Sequence, residues 1–299
     1  MITVGIPAFN RPEPLNELVE SLLPVVEKYN VEILIVDDHS EPEIKLKSLD
    51  VCKGKIRLLR NSDKNLGYAL TYLRLFKEAK TKYMMMMADD DVIDAQALLP
   101  LIEFVNLNNP DFLSSIYELD GKLYRGRKKL RKIKGYEFFE ASSHAPGLIY
   151  NVDTVNKYIH DLEESIRKQH KDALLYPQVV LLASLLSRGA DCMWYPSTVA
   201  SQGYELESGH TDSSGQHYWS LKRRWDQVLA FDLRFESWLE DDFRDQLCLS
   251  DMKKENARLC SIHLLNGIKS ESSYLFNYSI CGFFSYSLKA LIKSIVGKR

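Results

Sequence analysis

Within residues 82–94 the chain passes without transition from an apolar run, Tyr83-Met84-Met85-Met86-Met87-Ala88, to three acids, Asp89-Asp90-Asp91. A short continuous apolar run bounded by a polarity break predicts a strand buried on both faces, with the carboxylates at its end. Side chains alternate along an extended chain, so Asp89 and Asp91 are expected on one side and Asp90 on the other. The same punctuation recurs upstream. Residues 2–6 and 33–36 predict buried strands that end in Pro7-Ala8-Phe9-Asn10-Arg11-Pro12 and Asp37-Asp38-His39-Ser40, and residues 56–59 predict a third strand. Between them, Leu15, Leu18, Val19, Leu22 and Val26 fall on one helical stripe, with Asn10 as the expected cap and Pro24 expected to kink or shorten the helix. A short helical piece is expected near 44–49, and Asn61 to Gly67 is read as a turn. Ala69, Tyr72, Leu73 and Phe76 stripe a further helix over 68–79, and Leu98, Leu101, Ile102 and Val105 stripe the helix after the acids, with Asp94 as its cap.

Repeated strand-helix units of this kind imply an α/β fold, a mostly parallel sheet flanked by helices, whose ligands bind at the carboxyl ends of the strands. Downstream, residues 112–117, 122–124, 147–150 and 191–195 predict strands. Asp153 opens a helix, and residues 174–186, 219–239 and 253–265 predict others. The expected organisation is a catalytic domain over 1–200, split into halves 1–110 and 111–200, then a flexible Gly, Ser and His-rich loop over 201–216 and a helical C-terminal region over 217–299. Trp219, Trp225 and Trp238 are expected to pack rather than to bind sugar.

With 299 residues, 45% of them hydrophobic, the chain can bury a substantial core. A net charge of −2 gives no global case for nucleic-acid binding, so an anionic partner has to meet a local patch. Five cysteines at unpaired spacings, Cys52, Cys192, Cys248, Cys260 and Cys281, suggest reduced thiols in a cytosolic setting. The opening residues read as a strand and not as a targeting signal, and no run is long and uncharged enough to span a bilayer.

Three adjacent carboxylates beside a core repel one another, and oxygen-only ligands suit Mg or Mn, so the triplet suggests a divalent cation carrying an anionic ligand. An isolated triplet would more simply be a solvated turn. Here polar clusters end three strands, with Asn65 and Gly67 beginning a helix beside them, and in a parallel sheet these ends meet in one pocket. No Gly-x-Gly-x-x-Gly follows the first strand and no Walker loop exists, which argues against dinucleotide oxidoreductases and P-loop enzymes.

The stretches VGIPAFNRPEPL, ILIVDDHS, NSDKNLGYAL and MMMMADDDVID, in this order, resemble the GT-A-fold glycosyltransferases of family 2. The resemblance implies a Rossmann-like catalytic domain that binds a nucleotide-sugar through Pro7, Ala8, Phe9, Arg11, Asp38, Asn65, Gly67, Asp89 and Asp90. It places the base near Pro7, Phe9 and Asp38, the ribose near Asp89, and a diphosphate-bound Mg or Mn on Asp91. His210 in the loop, with His217 just after it, is a candidate for a further metal ligand. Such enzymes often order a loop of this kind over the donor. Asp37 is as easily a strand-end cap.

In that family a helix near residue 177 usually opens with an acidic pair supplying a catalytic base, but Tyr176-Pro177-Gln178 stands here. This turn resembles O-antigen side-chain glycosyltransferases of the abequosyltransferase kind. Asp172 is then the candidate displaced base, against the simpler reading of a helix-start charge; the other option is a retaining reaction that needs no side-chain base. The resemblance implies a glycan acceptor, expected to be lipid-linked, at the cytoplasmic face of a bacterial membrane. Peripheral membrane contact is expected through the C-terminal stripe Phe284, Leu288, Leu291, Ile292 and Ile295, backed by Lys289 and Lys293. The basic run 125–134 reads as a mobile solvated loop that can touch anionic headgroups. A sugar nucleotidyltransferase and a catalytically idle glycan-binding subunit are the rival readings. The former normally has a Gly-rich basic loop after the first strand, which Pro7-Ala8-Phe9-Asn10 is not.

Overall fold

Apolar runs too short for helices and striped segments long enough for them alternate here as one sheet between helical layers. The computed structural model describes residues 1–29, 31–48, 52, 54–203 and 221–270, with backbone alone for 221–224 and 263–270. In chain order the elements are β1 (Ile2–Ala8), α1 (Pro12–Tyr29), β2 (Val31–Asp37), β3 (Ile56–Arg60), α2 (Tyr68–Glu78), β4 (Tyr83–Met86), β5 (Val92–Ile93), α3 (Ala95–Asn108), β6 (Phe112–Leu119) and β7 (Lys122–Arg125). There follow β8 (Arg131–Lys132), α4 (Phe138–Ser142), β9 (Leu148–Asn151), α5 (Val152–Tyr158), α6 (His160–Arg167), α7 (Lys171–Leu175), α8 (Pro177–Ser187), β10 (Cys192–Ser201), α9 (Leu221–Trp238) and α10 (Gln246–Ser270).

The strand order is β3-β2-β1-β4-β9-β6-β10-β5, with β7 beside β6 and β8 beside β10. Strands β1 to β4 are mutually parallel. The sheet is nevertheless mixed, because β9 runs antiparallel to both β4 and β6 at its centre. Two reversals restore the direction, so β6 points the same way as β4, and β10 pairs parallel to β6. The ends of β1, β2, β4, β6 and β10 and the start of β9 therefore share one edge.

Period-2 alternation divides the core. Leu34, Val36, Met84 and Met86 face one layer with α2, α8, Phe231 and Phe235, whereas Ile33, Ile35, Met85 and Met87 face the other with α1 and α3. Each such fully buried side chain contributes roughly 1.5–3 kcal/mol. Helix α8 is buried at every position, as an all-round apolar helix must be. Helix α9 docks on the same layer through Phe231 and Phe235, which pack edge-on against Phe138 at 5.6 and 5.3 Å.

Several expectations are corrected. Helix α1 runs through Pro24 without shortening; Pro24 and Glu20 both lie on its exposed face, where water can satisfy the carbonyl that the proline leaves without a donor. Asn10 does not cap α1. Its φ is 56°, its Oδ1 accepts from Glu41 N at 2.9 Å, and its own N–H donates to Ser40 Oγ at 2.8 Å, so it ties the end of β1 to the end of β2. Residues 44–48 form no helix, although Ile44 is buried. The basic run is largely pinned by acids. Arg125 is buried, Arg127 pairs with Glu140, Arg131 pairs with Glu137 at 2.5 Å, and Lys132 pairs with Asp191 at 3.2 Å. Lys128 and Lys129 stay exposed. His210, His217, Trp219 and the stripe over 284–296 lie outside the described residues.

Candidate active site

At the shared edge, the end of β1 presents Phe9, 42% exposed, and Arg11 toward the acids that follow β4. Strand β4 stops at Met86, and Asp89 and Asp90 occupy a turn, so the alternation of an extended chain does not hold there. Asp89 and Asp90 both meet Arg11, whose Nη1 lies 3.2 Å from Asp89 Oδ1 and 2.5 Å from Asp90 Oδ2. Asp89 also accepts from Phe9 N at 3.3 Å. Burial raises the Asp89 carboxyl to about 6, and the nearby Arg11 charge opposes that shift.

The second wall comes from β2. Asp38, 4% exposed, accepts at Oδ1 from Asn61 Nδ2 and Leu66 N, both at 2.7 Å, and at Oδ2 from Gly67 N at 2.8 Å. It thereby fixes the turn before α2, where Asn65 Oδ1 also accepts from Gly67 N at 2.8 Å and Gly67 adopts φ 85°. Asp37 is a strand-end anchor, accepting from Ser40 N at 2.9 Å and Arg60 Nη1 at 3.1 Å.

Asp91 turns to the other half of the edge. Its Oδ1 accepts from Tyr117 Oη at the end of β6, 2.9 Å away, and from Gly203 N just beyond β10 at 3.3 Å. A Cβ on Gly203 would overlap the Asp90 carbonyl oxygen, so only glycine lets the chain cross the acidic turn so closely. Asp91 Oδ2 lies 3.7 Å from His144 Nε2, and that nitrogen is buried without a hydrogen-bond partner among the described residues. Burial, then the Asp91 charge, raises the Tyr117 phenol far above its ordinary range, so it stays a donor to the carboxylate.

Among the described residues no three Asp, Glu, His or Cys side chains form a closed cation cage. One carboxylate with an unengaged oxygen still fits Mg or Mn, which keep waters and take phosphate oxygens from a substrate. The groups available at this edge are thus an exposed aromatic ring, carboxylate acceptors and an anionic corner.

Asp172 is not brought to this edge as a free base. It is fully buried and accepts from Arg234 Nε at 2.6 Å and Nη2 at 3.0 Å, a two-pronged ion pair between α7 and α9. Arg234 Nη1 also donates to Ser165 Oγ at 2.7 Å. The sequence reading missed Tyr117, His144, Arg125 and Gly203 as neighbours of Asp91. Their signal was topological: they converge only if β9 reverses between β4 and β6.

Residues 3–171 match the sequence model of the family described as Glycosyl transferase family 2. Over 124 residues the chain is 29% identical to the poly(ribitol-phosphate) beta-N-acetylglucosaminyltransferase TarP of Staphylococcus aureus strain N315. That match spans 40% of this chain and 38% of the relative's length. Among solved structures, S. aureus TarS 1–349 in complex with UDP-GlcNAc superposes with a TM-score of 0.61 at 14% identity, covering 98% of this chain and 81% of that one. Its complex with UDP gives 0.62 at 13% identity, with coverage of 97% and 80%. At such identities the likeness is one of fold.

Proposed function

The chain belongs to glycosyl transferase family 2, and from that premise we propose that it moves a sugar from a uridine diphosphate donor to a hydroxyl of a surface glycan. The observation that carries this reading is the acidic turn Asp89-Asp90-Asp91 facing Phe9 and Arg11 across the convergent strand ends. The complexes of TarS with UDP and UDP-GlcNAc support uridine as the base. The name of TarP supports a polymeric acceptor, here proposed to be a lipid-linked surface glycan.

In this reading the base stacks near Phe9 against Pro7 and Ala8, with Asp38 holding the turn of Asn65 and Gly67 beneath it. Asp89 accepts from the ribose hydroxyls. Arg11, already between Asp89 and Asp90, orients both carboxylates. Asp91 would hold a divalent cation, with His210 as a further proposed ligand. When bound, Mg or Mn neutralises the charge that develops on the diphosphate leaving group.

With Asp172 committed to Arg234, the Tyr176-Pro177-Gln178 helix start favours the option that needs no base at this position, as the likeness to abequosyltransferases suggests. We place the protein at the cytoplasmic face of a bacterial membrane, held by the stripe over 284–296 more than by the basic run, whose arginines are internally engaged. Among the described residues no helix is long and apolar enough to cross a membrane.

The test is a thermal-shift screen of nucleoside diphosphates with MnCl2, because a ligand that binds only the native state raises its apparent stability. UDP should raise the midpoint more than ADP or GDP. No shift with any of them would overturn the donor-site reading.

A further inference from the structure

Asp91 and His144 each keep one Lewis-basic atom unused, and the two atoms face each other. Asp91 Oδ1 is occupied by Tyr117 and Gly203, whereas Oδ2 has no hydrogen bond among the described residues. His144 Nε2 is buried, unpartnered there, and 3.7 Å away. That separation is too long for a hydrogen bond. It falls between the ~3 Å of adjacent and the ~4.2 Å of opposite ligands on one cation at about 2.1 Å from each.

The imidazole is also held in place. Its ring packs 4.3 Å from Tyr117 and 5.9 Å from Tyr124. Arg125, 1% exposed, directs its guanidinium to backbone carbonyls: His144 O, Pro146 O at 2.6 Å and Ser115 O at 3.2 Å. Gly147 follows at φ 75°, where a Cβ would meet Ser115 Oγ at 2.5 Å, so the path of this loop is set by close packing on both sides. A buried cation that ties this loop, through His144 O and Pro146 O, to Ser115 O of β6 is an expensive clamp, and the side chain it presents is His144.

We infer that His144 Nε2 is a protein ligand, alongside Asp91 Oδ2, for the divalent cation of the donor site, with diphosphate oxygens and water among the remaining ligands. The inference rests on the donor-site reading. A carboxylate paired with an imidazole suits Mn better than Mg, which prefers oxygen throughout, so the site prefers Mn.

Electron paramagnetic resonance of MnCl2 titrated into the full-length protein with UDP tests this. The wild type should take up Mn and show electron-spin-echo modulation from bound nitrogen. His144→Phe keeps the ring packing, and should retain the melting midpoint and the metal-free UDP affinity while losing at least tenfold in Mn affinity and part of the nitrogen modulation. His144→Asp should keep Mg-supported UDP binding and lose the preference for Mn. Undiminished Mn affinity and modulation in a folded His144→Phe protein would overturn the inference and leave the donor site standing. UDP binding by the wild type without Mn dependence would do the same, and no UDP binding at all would overturn both.

Discussion

Replacing Asp172 by asparagine separates a catalytic carboxylate from a structural one. Its side chain is fully buried, accepts two hydrogen bonds from Arg234, and joins α7 to α9, which in turn carries Phe231 and Phe235 into the core. Asparagine cannot balance the guanidinium, and Arg234 is itself only 8% exposed. Breaking a buried pair by removing one partner costs about 3–5 kcal/mol, because the other charge stays desolvated. For a chain of this size that corresponds to a fall of roughly 6–10 °C in melting midpoint. The double change Asp172→Leu with Arg234→Met removes both charges and should recover much of the loss, which would assign the effect to the pair. Differential scanning fluorimetry reads the midpoint, and UDP release well below it reads turnover, which should fall by less than threefold in the folded single variant. An unchanged midpoint with turnover reduced by the ~10²–10⁴-fold typical of general-base loss would refute this account and return Asp172 to the reaction.

Asp89 gives a prediction in pH. Its folded-state carboxyl titrates near 6, above the 3.8 of the unfolded chain, so ionisation disfavours the native state. Its contribution to stability is greatest below 3.8, declines as pH rises to 6 and is constant above, a difference of about 3 kcal/mol. Asp89→Asn should therefore raise the melting midpoint of the unliganded protein at pH 7.5 while weakening UDP binding. Wild-type UDP affinity, taken relative to Asp89→Asn to cancel titration of the phosphate, should be flat above pH 7 and fall as pH drops through 6. Arg11→Met should move that midpoint upward, since Arg11 holds the carboxyl down; no movement in the titration would contradict the pairing. Gly203→Ala should displace the chain from Asp91 and weaken Mn-supported UDP affinity by ~10–100-fold, as loss of groups orienting a ligand does. Calorimetry showing equal affinities would refute that role. Product stereochemistry by NMR should show retention if no base acts at the Tyr176 turn, and inversion would require a carboxylate elsewhere.

The N-terminal half was legible because its signals are local. The methionine run, the stripes of α1 and α2, and the Asp94 cap, which accepts from Gln96 N at 2.9 Å, depend on neighbours in sequence. Parallel strands then force Phe9, Asp38 and Asp89 to one edge. What escaped reading depends on partners distant in sequence. Strand β9 is buried at all four positions, so it carries no alternation to betray its reversed direction, and with that reversal went Tyr117 and His144. Arg125 looked like the first residue of a polybasic loop, yet its acceptors lie 10 to 21 residues away. Asp172 looked like a displaced catalytic acid because proximity to Tyr176 was visible and Arg234, 62 residues on, was not.

The most direct test of the central claim is release of UDP from UDP-sugars by the purified protein, with MnCl2 and with EDTA, for the wild type and Asp91→Asn. The account predicts slow release by the wild type with Mn, little with EDTA, and the EDTA level for a folded Asp91→Asn protein in either condition. Equal release by Asp91→Asn, or incorporation of pyrophosphate into a nucleoside triphosphate instead of UDP release, would contradict it.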